Sequence, residues 1–272
     1  MKESSFRVLK RKESKLMFLS LLMGYLLGTF AITQEVVIGI LAVTLGLNMV
    51  QLLESDRKLN HWIMGGSIVI SGAVLTYRLP ILPSIYNFYG LKTSINASAF
   101  NIISNVNKVF IALSFLPVLS VLRHKKPLTT LPFSSLLYLT CLYVVVTCGI
   151  LIGAALLVKY VKFDFTFPSF LWIWVINMLL VCFGEEVFFR GVVQNYVMLL
   201  MPKNTNLAVL LTSVFFGLTH YPAGISMVVL AGIAGLFYGF LYKGTHRLWC
   251  PIMLHFSLNF VHFIFFSYPR VI

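Results

Sequence analysis

Three short stretches set ionisable or amide side chains inside otherwise apolar sequence. GEEVFFR, residues 184–190, holds Glu185 and Glu186 side by side, with Arg190 four residues after the second. FFGLTH, residues 215–220, ends on His220. CPIMLHFSLNFVH, residues 250–262, carries His255, Asn259 and His262. The chain of 272 residues has only 8 Asp and Glu. Placing two of them in one oily run is costly, because a charge at mid-bilayer costs about 2.5–3.5 kcal/mol or more. Such residues point first to chemistry.

On a helix, residues four apart share a face and neighbours diverge by about 100°. Glu186 and Arg190 are therefore spaced for an ion pair, and Glu185 points elsewhere. A carboxylate kept in a dry site without a cation suits a general base. The plainer reading is a polar knot that pins helices together. His220 precedes Tyr221-Pro222 at the end of an apolar run, and alone it reads as a helix-end histidine bonding the last carbonyls. His255, Asn259 and His262 fall at i, i+4 and i+7, one polar stripe on an oily helix. Hydrogen bonding between membrane helices would also account for that stripe.

Two mechanisms need this set. In one, Glu185 activates water, His220 and Asn259 donate to the developing oxyanion, and His255 helps hold the water. In the other, Glu185, His220 and His255 ligate a zinc ion that makes its bound water acidic. No H-E-x-x-H motif is present. Ser257 lies about 160° from both His255 and Asn259, off their shared face, so no serine nucleophile stands out.

The elements that must position these groups follow from composition. The chain is 59% hydrophobic and 11% charged, against about 25% charged in soluble domains. Long apolar runs recur from residue 16 onward and are continuous rather than alternating. This predicts an all-α, polytopic bundle of transmembrane helices and argues against a β-barrel. Apolar windows fall at Leu16 to Ile32, Val36 to Leu53, His61 to Ile81, Ile102 to Leu122, Ser134 to Val158, Pro168 to Met201, Leu207 to Thr219, Gly224 to Tyr242 and Leu248 to Ser267. Pro168 to Met201 is long enough to bend and Leu207 to Thr219 is short, so about eight spans are expected. The site would lie in a membrane-embedded cavity of the C-terminal half.

The formal charge of +13 sits in tails and loops such as MKESSFRVLKRKESK and RHKKP. That is the distribution of cytoplasmic anchors rather than of a nucleic-acid surface. It predicts a cytoplasmic N-terminus on an uncleaved first helix. Arg78 and Lys108, near span ends, are read as snorkelling to the interface. Cys141, Cys148, Cys182 and Cys250 lie in apolar runs and form no C-x-x-C pair, so inert thiols are expected. The polar stretch PSIYNFYGLKTSINASAFN, residues 83–101, reads as an outside loop with a sequon at Asn96. Gly232, Gly235 and Gly239 line one side of their span and predict close helix packing. The expected organisation is residues 1–129 as N-terminal helices without an assigned role and 130–272 as the core that carries the site.

E-E-x-x-x-R (Glu185, Glu186, Arg190), F-x-x-x-H (Phe216, His220) and H-x-x-x-N (His255, Asn259) occur in that order, with FFRG after the glutamates. In this the sequence resembles the CPBP family of intramembrane proteases over roughly residues 130–265. That family includes the type II CAAX prenyl endopeptidases and the bacteriocin-processing and self-immunity proteins. The resemblance implies hydrolysis of a peptide bond in a membrane-associated or lipidated peptide. By motif position it makes Glu185 the catalytic glutamate, with His220, His255 and Asn259 completing the site and Glu186 and Arg190 supporting it. The family is described both as metalloprotease and as glutamate-dependent, so zinc stays open as a cofactor. His262 lies outside the motif. A non-catalytic immunity or scaffold protein and a proton-coupled transporter are the alternatives; the transporter would favour an inverted repeat, and none is visible. A bacterial plasma membrane is the expected location.

Overall fold

The computed structural model describes residues 87–103, 108, 112, 115, 119 and 131–271. The three expected spans before residue 82 and most of the fourth lie outside the described residues. After residue 130 the helices follow the apolar windows closely. They are α1 (Phe133–Leu157), α2 (Leu171–Glu186), a π-helix (Val187–Gln194), α3 (Asn195–Leu200), α4 (Thr205–Leu218), α5 (Ile225–Thr245) and α6 (Trp249–Phe265), with a 3₁₀ turn at Tyr221–Ala223.

Among the described residues, three helical stretches are long and apolar enough to cross a membrane: Phe133–Leu157, Leu171–Leu200 and Ile225–Thr245. The helices α4 and α6 are apolar but shorter. On α1, Phe133, Leu137, Tyr138, Leu142, Val145, Val146 and Ile150 are exposed. A helix that is apolar on its outer face as well as its inner one needs hydrocarbon around it. The chain is an integral membrane protein.

The run long enough to bend holds a 30-residue helical stretch, α2 to α3, interrupted by eight residues of π-helix. All eight are buried. Such i→i+5 segments are rare and recur at functional sites. They cost hydrogen-bond geometry, so tertiary contacts must support them. Here the support comes from a core in which Phe188, Phe189, Val192 and Val193 meet Phe115, Phe216, Tyr238 and Leu254.

The all-α expectation needs one correction. Residues 83–101, read as a polar loop, contain the first strand of a small antiparallel hairpin, β1 (Asn87–Leu91), and the first half of the second, β2 (Phe100–Ile103). The head of the fourth expected span, Ile102 and Ile103, is therefore strand. Gly90, at φ 65°, supplies the irregularity between Phe88 and Leu91 that a residue with a Cβ would adopt only with strain. The hairpin is tied to the far end of the bundle. Ser94 Oγ donates to Asp164, Ser98 N–H donates to the Arg270 carbonyl at 3.0 Å, and Asp164 N–H donates to the Phe265 carbonyl at 2.9 Å. The segment KYVKFDFTF, residues 159–167, thus lies against the hairpin and the C-terminal segment. Trp174 stacks on Phe263 beneath this cap, ring centroids 3.9 Å apart.

The glycine stripe of α5 behaves as expected. A Cβ on Gly239 would lie 2.7 Å from Val209 Cγ1, and one on Gly235 would lie 3.1 Å from Ser213 Cα. The facing helix adds its own small residue, since a Cβ on Gly217 would meet the Val228 carbonyl oxygen at 2.6 Å. The backbones of α4 and α5 therefore touch, and dispersion between them replaces the hydrophobic drive that lipid cannot provide. Gly217→Ala should lower the stability of the detergent-solubilised protein by about 1–3 kcal/mol through overpacking. Gly149→Ala, on an open face of α1 where nothing lies within 4 Å, should leave the thermal unfolding midpoint level or higher.

Candidate active site

Four separate pieces of chain bring their polar groups together. The last turn of α2 carries Glu185 and Glu186. The π-helix carries Arg190, the end of α4 leads into His220, and α6 presents His255, Asn259 and His262. Glu185, His220, His255, Asn259 and His262 all line one cavity of about 280 Å³. Its remaining wall is largely aliphatic and aromatic, including Leu151, Ile152, Met227, Leu230 and Tyr238. A small polar cluster in an apolar, concave site is the usual form of a ligand pocket.

Glu186 and Arg190 sit behind that wall, and both are fully buried. Arg190 Nη1 donates to Glu186 Oε1 at 2.9 Å, the i,i+4 pair that the spacing predicts. The same oxygen accepts from His255 Nδ1 at 2.9 Å. Arg190 Nη2 donates to the Gly235 carbonyl at 3.2 Å, and the guanidinium carbon lies 4.6 Å from the Phe216 ring centroid and 5.0 Å from that of Tyr238. One carboxylate and one guanidinium thereby join α2, the π-helix, α4, α5 and α6.

The two histidines are held by Nδ1. His220 Nδ1 donates to the Phe216 carbonyl at 2.9 Å. The helix-end reading is thus correct as far as it goes, and it fixes which nitrogen faces inward. His255 Nδ1 donates to Glu186, and its ring stacks on Tyr238 at 4.8 Å with 21° between planes. Both rings line the cavity, and that of His255 also hydrogen bonds the Cys182 side chain. Asn259 Nδ2 meets only sulfur atoms among its described partners, Met178 Sδ at 3.5 Å and Cys182 Sγ at 3.9 Å. Sulfur is a weak acceptor, so the amide can turn to a better one without losing much.

Two expectations are corrected. Glu185 is not without a cation, because Lys108 Nζ lies 2.5 Å from its Oε1. Lys108 in turn does not reach for the membrane surface; its side chain is only 21% exposed. The signal for this was present in the sequence. Lys108, Ala112, Phe115 and Leu119 recur at i, i+4, i+7 and i+11, one face of a helical run. The roles of Tyr238 and of the π-helix have no signature in the sequence; an apolar string carrying Tyr238 and Tyr242 gives no sign of a stacking partner, and VFFRGVVQ gives none of a change in helical pitch.

The zinc alternative requires Glu185, His220 and His255 to converge on one point. Among the described residues no three His, Cys, Asp or Glu side chains form such a group. Glu185 is turned to Lys108 and His255 Nδ1 to Glu186. These residues as arranged do not fit a metal centre.

Removing the buried cation should be expensive. Arg190→Met leaves a carboxylate with no charge partner but a histidine and should cost about 3–5 kcal/mol, read as a lowered unfolding midpoint in detergent. Arg190→Lys should recover only part of this, since a single ammonium cannot reproduce the forked donation to both Glu186 and Gly235.

Residues 167–261 match the family model described as Type II CAAX prenyl endopeptidase Rce1-like. No curated protein and no solved structure matches the chain. The matched stretch holds every motif residue that carried the resemblance to CPBP intramembrane proteases, and it ends one residue before His262. The C-terminal part of this membrane protein is thereby similar to the type II CAAX prenyl endopeptidase Rce1-like family, to which its motifs pointed.

Proposed function

We propose that this protein is an intramembrane endopeptidase that cleaves a membrane-associated or lipidated peptide by glutamate-activated water. The observation that carries the reading is the meeting of Glu185, His220, His255 and Asn259 on one largely apolar cavity. The Rce1-like match supplies the reaction class.

In the proposed reaction Glu185 accepts a proton from a water molecule as the oxygen of that water attacks the scissile carbonyl carbon. His220 and His255, which line the cavity, hold the water and the substrate carbonyl. The Asn259 amide leaves its sulfur neighbours and donates to the oxyanion as negative charge develops there. Collapse of the tetrahedral intermediate breaks the C–N bond, and the proton on Glu185 passes to the departing amine. The aliphatic wall from α1 and α5 suits an apolar or lipid-bearing segment and keeps bulk water from the intermediate. Glu186 and Arg190 touch neither water nor substrate in this scheme; they hold His255 and the π-helix in place.

The test is cleavage of prenylated and plain membrane peptides by purified wild type and Glu185→Gln. The variant should lose about 10²–10⁴-fold in kcat/KM while unfolding at nearly the same temperature. A strong chelator should leave wild type unaffected. Full activity in Glu185→Gln would remove the proposed base. Loss of wild-type activity on chelation, with recovery on adding zinc, would replace water activation by a metal mechanism.

A further inference from the structure

Lys108 stands outside the stretch that matches the family, 77 residues before the carboxylate it meets. Its placement is built rather than incidental. A Cβ on Gly184 would lie 2.8 Å from Lys108 Cβ and 2.9 Å from the Lys108 carbonyl oxygen. The lysine backbone therefore rests directly on the turn of α2 that precedes Glu185, and only glycine allows that approach. The same face continues along the helix axis. Ala112 and Phe115 are buried, Phe115 packs on Phe188 with ring centroids 5.6 Å apart, and Leu119 Cδ2 fills the space where a Cβ on Gly191 would be, at 2.6 Å. The contacts at Gly184, Phe188 and Gly191 fix the axial position of this segment against α2 and the π-helix. Lys108 is thus delivered to Glu185 by apolar packing on either side of the π-helix start.

Lys108 does not line the cavity, whereas Glu185 does. The ammonium holds one carboxylate oxygen, Oε1, from outside the wall. The carboxylate is then held at Oε1 by a fixed partner, and the residue it belongs to lines the cavity. We propose that Lys108 is a positioning residue for Glu185, contributed by the part of the chain before the family-like stretch, so that the Rce1-like segment alone is an incomplete site. This rests on Glu185 acting as the base.

The experiment compares Lys108→Met, Lys108→Arg and Glu185→Gln in the full-length protein, using a peptide that wild type cleaves. Lys108→Met should lower kcat about 10- to 100-fold, the scale of a misplaced reacting group, with KM little changed because the residue is off the cavity. Lys108→Arg should restore most of kcat. Lys108→Ala should regain activity with added small primary amines such as ethylammonium, a rescue that a purely structural defect would not show. Lys108→Met with wild-type kcat, in a preparation where Glu185→Gln is inactive, overturns the positioning role and leaves the proposed base standing. Full activity in Glu185→Gln overturns both. Should Lys108→Met fail to fold, the amine titration of Lys108→Ala and the kcat of Lys108→Arg decide: a low kcat in the arginine variant with no amine rescue counts against the proposal.

Discussion

A single oxygen, Oε1 of Glu186, accepts from both Arg190 and His255 in a fully buried setting. That contact ties His255, a lining residue of the cavity, to the π-helix. Two charges taken from solvent are repaid only where geometry is good and the remaining donors find partners. Arg190 meets part of this requirement through the Gly235 carbonyl and the faces of Phe216 and Tyr238, while its Nε and Glu186 Oε2 have no hydrogen-bond partner among the described residues. The knot therefore joins five helical elements that in lipid have no hydrophobic force between them. Its position one residue from Glu185 transmits that rigidity to the group facing the cavity.

The adjacent glutamates consequently divide labour by direction. In the last turn of α2, Glu186 points into the packed interior and Glu185 points to the cavity wall. The π-helix that begins at Val187 changes the phase of the helix immediately beyond them. It keeps Arg190 within reach of Glu186 while turning Phe188 and Phe189 toward the aromatic core. The glycine contacts between α4 and α5 then fix the depth of Phe216, whose carbonyl orients His220 and whose ring lies 5.9 Å from that of His255.

Much of this was legible in the sequence, for identifiable reasons. The ion pair of Glu186 and Arg190 is local and follows from helical spacing. The stripe of His255, Asn259 and His262 is local too, and so are the apolar windows that became α1, α2, α5 and α6. What was not legible is either a property of backbone pitch or a contact across the chain. No residue type announces a π-helix. The pairing of Lys108 with Glu185 depends on a glycine at 184 that permits contact between two segments far apart in sequence. The hairpin at Asn87–Ile103 was hidden because its polar residues resemble any loop, and its strands are stabilised by the distant C-terminal segment around Arg270.

In the proposed division of labour Glu186 is structural and Glu185 acts on the cavity side. This division is tested most directly by the unfolding midpoints of Glu186→Gln and Glu185→Gln, measured side by side in one detergent. A large fall for Glu186→Gln and a midpoint near wild type for Glu185→Gln is the expected result. The reverse order, or equal falls, would contradict the division of labour on which the site is built.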